Sequence, residues 1–344
     1  MKILLGMSGG IDSTFAARRL MDEGHTVEGA ILLMHEYTDV AAARESAHSL
    51  GIQLHVLDAR ELFSQTVVPN FISEYKQGRT PNPWIICNRE VKFRVLCDFA
   101  RENGFDKVAT GHYAELVKLE TQKGARYALK YAADLKKDQT YMLWRLSQDE
   151  LSMLYLPLYN ITKEEIREIS RKTDLFAADR EDSQEICFIP DGDYPSFIEE
   201  RAGRSPEGEF VDEDGNVLGT HKGIIHYTVG QRKGLGIALG KRAFITDIDP
   251  NTNRITLSTK PEFSPEFYVS DMVFSGMCEP EAGDEMTLSV KVRYQSERSP
   301  ANVKFTSLSS AKVTLKKLGK AATRGQSAVF YDGDILVAGG IIIG

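Results

Sequence analysis

Lys2-Ile3-Leu4-Leu5-Gly6-Met7-Ser8-Gly9-Gly10-Ile11-Asp12-Ser13 is the stretch on which the reading of the whole chain turns. Residues 2–5 are a short apolar run with the character of a buried strand. Residues 14–20 read as the start of a helix. The two glycines between them let a backbone come close to an anion, and the helix start offers it unpaired N–H groups. Ser8 and Ser13 add hydroxyl donors. Asp12 is an odd neighbour for a phosphate unless Mg²⁺ lies between the two. The loop contains no lysine, so it is not of the Walker type. The plain alternative is an ordinary Gly-Gly turn; the order strand, loop, helix favours the anion site.

With 344 residues the chain has room for two or three domains. Its 42% hydrophobic and 26% charged residues are ordinary for a soluble globular protein. No segment approaches the ~20 apolar residues that span a bilayer. The first strand begins at residue 2, so no signal peptide is expected. Four cysteines, at 87, 97, 187 and 278, are too sparse for a disulfide framework. A cytoplasmic location is expected, with any thiol chemistry catalytic rather than structural. The net charge of −7 argues against indiscriminate nucleic-acid binding but leaves a local basic surface open.

The first half alternates strand and helix. Apolar runs at 27–34, 53–57 and 108–110 read as strands, and 40–50 and 89–103 as helices. Thr162 and Glu165 form a capping box that opens a helix running through Arg171. This alternation implies α/β architecture, a parallel sheet with helices on both faces and ligands beyond the carboxyl ends of its strands. Gly6, Met34 and Gly111 all fall there. After about residue 200 glycines and prolines break the chain into short pieces, and Asp214-Gly215 is a hairpin signal. From about 262 the pattern has period two, clearest from Met286 to Tyr294, and Asp332-Gly333 separates two further strand-like runs. The expected domains are therefore 1–198, a small central unit at 199–261, and an antiparallel β-barrel or sandwich at 262–344.

Two of the thiols sit in distinctive surroundings. Gly78 to Asn88 is a loop stiffened by Pro81 and Pro83 that runs into a helix. Cys87 would lie at or just before the first helical turn, where the macrodipole lowers a thiol pKa, with Arg89 and Lys92 adding positive charge. A partly buried structural cysteine is an equally good reading of these residues alone. Cys187, in Asp182-Ser183-Gln184-Glu185-Ile186-Cys187-Phe188, reads by default as core. Cys97 sits mid-helix beside Leu96 and reads as core; Cys278 falls in the β region.

Together the motifs resemble a known family. SGGIDS at 8–13 resembles the loop of ATP-pyrophosphatases. GRTPNPWIICN at 78–88, ATGHY at 109–113, KKDQTYMLW at 136–144 and DSQEICFIP at 182–190 follow it in order. HYTVGQRKGLG at 226–236, VRYQ at 292–295 and GQSAVFYDGD at 325–334 complete the set. The chain is identified by them as a member of the bacterial tRNA-specific 2-thiouridylases over essentially its whole length. The resemblance implies an adenine-nucleotide alpha-hydrolase-like (PP-loop) sheet domain, a small central domain and a C-terminal β-barrel that contacts tRNA. It also implies ATP-dependent thiolation of the wobble uridine at C2. Gly6, Met7, Ser8, Gly9, Gly10, Ile11, Asp12 and Ser13 would hold ATP phosphates, with Asp12 reaching Mg²⁺ and with Met34 and Gly111 near the adenosine. Cys187 would carry a persulfide sulfur from a donor such as a cysteine desulfurase or a sulfur relay protein. Cys87 would resolve it, leaving a Cys87–Cys187 disulfide. Asn82, Pro83 and Trp84 would meet the target base. His112, Lys137, Asp138, Gln139, Arg293, Tyr294 and Gln326 would contact the tRNA. No membrane partner is implied.

One residue departs from the family pattern. Trp84 stands three residues before Cys87, where the family usually carries Asp and sometimes Cys. A tryptophan there can stack on a base. It also leaves open a tRNA-binding paralogue with altered catalysis. Another ATP-pyrophosphatase, such as an amide-forming synthetase, shares the loop but has no use for paired thiols.

Overall fold

The computed structural model describes residues 1–173, 175, 186–237, 240, 242–260, 263–317 and 322–344. Strands β1 (Lys2–Gly6), β2 (Thr26–Leu33), β3 (Leu54–Asp58) and β4 (Lys107–Thr110) stand in the order β3-β2-β1-β4, with the short strand Leu154–Tyr155 on the far edge. All neighbours are parallel. The central strand shows why. Ile3, Leu4 and Leu5 are all fully buried, as a strand covered on both faces requires. Ile3 and Leu5 pack with Phe15 and Leu20 of α1 (Ile11–Asp22) and with Ala47 of α2 (Val40–Leu50). Leu4 faces the other way, toward Phe63, Val67 and Phe71 of α3 (Arg60–Lys76) and Leu96 of α5 (Arg94–Glu102). The sheet thus divides its side chains between two layers by strict alternation.

The helix expected at 89–103 starts earlier. Asn82 accepts a hydrogen bond from the Ile85 amide at 3.4 Å and Pro83 takes the first helical position, so α4 (Pro83–Cys87) begins there. A six-residue π turn, Asn88–Phe93, joins α4 to α5. The Thr162–Glu165 capping box opens the helix Lys163–Lys172.

The central unit is a four-stranded sheet in which Gly208–Val211 lies between Val217–His221 and Arg254–Ser258, with Phe244–Asp249 on the edge. Asp214-Gly215 makes the turn of its first hairpin, Gly215 at φ +84°. The last third is a closed antiparallel barrel: Glu266–Phe274 pairs with Ser310–Leu315 on one side and with Ile335–Ile342 on the other. The strand expected through Tyr294 ends at Lys291. Beyond it the chain turns, with the Ser296 amide donating to the Arg293 carbonyl at 3.1 Å.

The barrel has an unforeseen addition. A hairpin from the first half, β5 (Glu115–Thr121) and β6 (Gly124–Lys130), joins the barrel sheet where Leu129 and Lys130 pair with Leu336 and Ile335. The following turn docks beside it. Trp144 is buried on the barrel, its indole N–H donating to Ser327 Oγ at 3.0 Å, and Tyr141 donates to the Ser327 carbonyl at 2.9 Å. Gly339 makes this docking possible, because a Cβ there would lie 2.5 Å from the Trp144 ring. Gly339→Ala is therefore expected to destabilise the protein by about 1–3 kcal/mol. A thermal melt at the wild-type temperature would show that the ring does not rest on this strand.

Candidate active site

The loop after β1 has the form its sequence implies. Gly10 is extended (φ −84°, ψ 164°) and no side chain caps α1, so the first-turn N–H groups face outward uncapped. Gly9 adopts φ +77°, and a Cβ on it would lie 2.5 Å from the backbone of Ala42 in α2. Ser13 Oγ accepts from the Ser8 amide at 3.3 Å and donates to the Gly10 carbonyl at 3.0 Å, drawing the loop into a ring. Met7 and Ile11 turn their side chains into the core and can offer a ligand only backbone. Open donors around an uncapped helix start fit a polyphosphate. Gly111, at the end of β4, closes the other side: its missing Cβ would stand 3.0 Å from the Asp12 carbonyl carbon and the Ser13 nitrogen.

Asp12, the residue expected to reach Mg²⁺, is met by two donors of the protein itself. Lys163 Nζ donates to both of its carboxylate oxygens, at 2.8 and 2.7 Å, and the Tyr113 hydroxyl donates to Oδ1 at 2.7 Å. Lys163 is itself buried. Lys163, 151 positions away in sequence, brings a positive charge to this loop. Among the described residues no group of three or more His, Cys, Asp or Glu could hold a metal.

Cys87 ends α4 with its thiol 3.6 Å from Met34 Sδ, at the carboxyl end of β2. It is buried, and that burial pushes its pKa up to about 11; Lys92 pulls it down and Cys187 pushes it up. The expected lowering by a helix N-terminus is overturned, because Cys87 lies at the fifth helical position and desolvation outweighs the dipole. Arg89 does not help either: it pairs with Glu150 at 2.5 Å. Both Cys87 and Cys187 are free thiols. Cys187 is an exposed residue on a turn closed by the Ile189 amide and the Ile186 carbonyl at 2.8 Å. The next side chain, Phe188, anchors that turn against Phe63, Phe71 and Phe197. Atoms packed around the Cys187 thiol still raise its pKa, and Lys92 lowers it. Residues 182–185 of the same motif lie outside the described residues. A cleft of about 510 Å³ opens beside these segments, lined by Met34, His35, Arg60, Phe188 and Arg201 among others. Cys97 is core, as expected, and Cys278 donates to Thr121 Oγ1 at 3.4 Å.

Most residues expected to meet tRNA are occupied within the protein. Asp138 is 3% exposed and accepts from Thr140 Oγ1 at 2.7 Å; burial raises its pKa to about 6. Gln139 accepts from the Tyr113 amide at 3.1 Å, fixing the turn after Gly111. His112 shares a hydrogen with Thr110 Oγ1 at 2.8 Å, and desolvation lowers its pKa to about 3, so it is a neutral ring at physiological pH. Gln326 donates to the Thr80 carbonyl at 2.7 Å, and the Thr80 amide donates to the Arg324 carbonyl at 2.9 Å. Arg293 donates to Thr323 Oγ1 at 2.5 Å and to the Val229 carbonyl at 3.3 Å, tying the barrel to the central unit. Tyr294 leans on Tyr141, and Lys137 is half-buried in the turn after Asp134. Asn82 and Pro83 are used as cap and first residue of α4. Trp84 differs: it is 37% exposed at the start of that helix.

Comparison with known proteins agrees with this layout. Residues 1–191 match the model described as the tRNA methyl transferase HUP domain, and 195–259 that of the tRNA methyl transferase PRC-barrel domain. Residues 264–342 match the aminomethyltransferase beta-barrel domain. The tRNA-specific 2-thiouridylase of Lachnoclostridium phytofermentans is 42% identical over 99% of this chain and 99% of its own length. That of Clostridioides difficile is 41% identical over 99% and 98%. That of Acetivibrio thermocellus is 42% identical over 99% of both.

The approach of Gly111 to the loop gives a direct test of the phosphate site. Gly111→Ala should push the start of α1 outward and weaken ATP binding at least about tenfold, or ~1.4 kcal/mol, in titration calorimetry. Unchanged affinity in a folded variant would place the nucleotide elsewhere.

Proposed function

The chain belongs to the tRNA-specific 2-thiouridylase family, and on that premise we propose that it thiolates the wobble uridine of tRNA at C2 through an adenylated oxygen and a cysteine persulfide. The observation that best supports this reading is the 3.6 Å contact between Cys87 and Met34. In that contact a thiol lies beside Met34, the residue expected to face the adenosine.

ATP would supply the adenylyl group that turns the C2 oxygen into a leaving group, with release of pyrophosphate. The N–H groups of residues 10–13 and the hydroxyls of Ser8 and Ser13 would hold its phosphates. Lys163 would balance their charge beside Asp12. The residues here do not fit a Mg²⁺ held by protein ligands, since the one carboxylate at the loop is taken by Lys163 and Tyr113.

Cys187, exposed on its turn, would accept a sulfane sulfur from a cysteine desulfurase or sulfur relay protein and become a persulfide. The thiolate of Cys87 then attacks the inner sulfur of Cys187. A Cys87–Cys187 disulfide forms, hydrosulfide leaves and adds to C2, and AMP departs with the original oxygen. An external thiol reduces the disulfide for the next turnover. The uridine must leave the anticodon stack to arrive here, at a cost of a few kcal/mol. Trp84 would offset part of it by stacking on that base or its neighbour. We take residues 1–198 as the catalytic unit, 199–261 as the connecting unit and 262–344 as the tRNA-contacting barrel.

Two experiments test the reading. In an assay of 2-thiouridine in tRNA supplied with ATP and a persulfide donor, Cys87→Ser and Cys187→Ser should each abolish product. Cys97→Ser and Cys278→Ser should not. Full activity of either of the first two refutes sulfur transfer through the pair. In the same assay Trp84→Phe should keep most activity, while Trp84→Ala should weaken use of tRNA by about the stacking energy, ~1–3 kcal/mol. Equal activity of Trp84→Ala and the parent would remove stacking from the account.

A further inference from the structure

Thr80 to Pro83 lead the chain into the helix that carries Trp84 and Cys87, and they have little means of holding themselves. Pro81 and Pro83 have no amide hydrogen to donate. Helix α4 has five residues, too few to be stable by itself. Its cap bond, from the Ile85 amide to Asn82, is 3.4 Å long, beyond the usual range for an N–H donor. At the far end of α4 the Asn88 side chain donates to the Met142 carbonyl at 3.0 Å, which ties the helix to the sheet domain. At the near end the holder is the barrel. The Thr80 amide donates to the Arg324 carbonyl at 2.9 Å. The Gln326 side-chain amide donates to the Thr80 carbonyl at 2.7 Å and to the Pro81 carbonyl at 3.4 Å. Gly325 lets the two backbones come this close, since a Cβ on it would lie 3.0 Å from the Thr80 nitrogen.

We propose that Gln326 is a positioning residue for the thiol helix: from the barrel it fixes residues 80–81 so that Trp84 and Cys87 meet the incoming uridine in one orientation. A primary amide has two N–H donors, and here one nitrogen serves two successive carbonyls. Two bonds to adjacent peptides fix the segment in rotation as well as in place. Carbonyls in a proline-interrupted stretch find no partner in a helix or a sheet, so a side chain has to supply it. The barrel then acts on the rate of the chemistry and not on tRNA affinity alone, because a displacement of about 1 Å at a reacting group can cost about a hundredfold in rate.

The effect on turnover rests on the thiolation reading, but the first arm of the test needs neither tRNA, ATP nor a sulfur donor, so the two can fail separately. The chain has two tryptophans; Trp144 is 1% exposed and Trp84 37%, so acrylamide quenching of the full-length protein reports Trp84. In Gln326→Met, similar in length but without donors, the quenching constant should rise about twofold as the segment opens locally. Gln326→Asn, too short to reach both carbonyls yet still polar, should do the same. In a Trp84→Phe background neither change should alter the remaining signal. In the second arm both variants should lower kcat at saturating tRNA at least about tenfold while the Kd for tRNA stays within about twofold. Wild-type quenching in both variants overturns the proposal. So does a weakened Kd with kcat unchanged, the result expected of a side chain that contacts tRNA directly.

Discussion

The site depends on one close approach of backbone to backbone. The end of β4 lies so near the start of α1 that Gly111 leaves no space for a side chain between them. Three consequences follow from that contact. The helix start is pinned at the carboxyl edge of the sheet, where its amides stay open. Tyr113, two residues on, is brought to hydrogen-bond Asp12. His112, hydrogen-bonded to Thr110, leans obliquely on Phe93 of the π turn. The loop at 6–13, the π turn and the turn at 111–113 are therefore set by the same strand end.

The barrel is part of this site rather than an appendage. Its loop at 323–326 grips the segment that precedes Asn82, and Gly325, at φ +86°, lies against Arg79, Glu74 and Thr80. A side chain there would press 3.0 Å from all three. On the opposite side the hairpin β5–β6 and Trp144 bind the barrel to the sheet domain. A tRNA bound to the barrel would thus act on a loop already held by it. This explains why Gln326 and Arg293, polar residues in prominent motifs, spend their donors on the protein's own carbonyls and hydroxyl. They fix the frame in which Trp84 remains exposed.

What the sequence made legible is local. The strand–loop–helix at 2–22, the helix at 40–50, the capping box at Thr162 and the turn at Asp214-Gly215 are each specified by neighbouring residues, and each formed. What it hid depends on distance. Lys163 reads as a helix-start residue until the fold lays it on Asp12. The run 115–130 carries no sign that its partner strand lies at 335–342. The local surroundings of Cys87 indicated a lowered thiol pKa, but tertiary burial decided otherwise. The π turn at Asn88–Phe93 has no sequence signature. A sequence also cannot say whether a polar side chain such as Gln326 or Arg293 donates to a neighbouring carbonyl, as both do here.

The central claim is that the C2 oxygen of the uridine leaves as part of AMP while a sulfur from the cysteine pair takes its place. The most direct measurement follows that oxygen. Transfer RNA carrying ¹⁸O at C2 of the wobble uridine is thiolated by this protein with ATP and a persulfide donor, and the AMP is analysed by mass spectrometry. One ¹⁸O in AMP is expected for each 2-thiouridine formed. Unlabelled AMP alongside normal thiolation would contradict it, because the oxygen would then have left by a route that does not pass through adenylation.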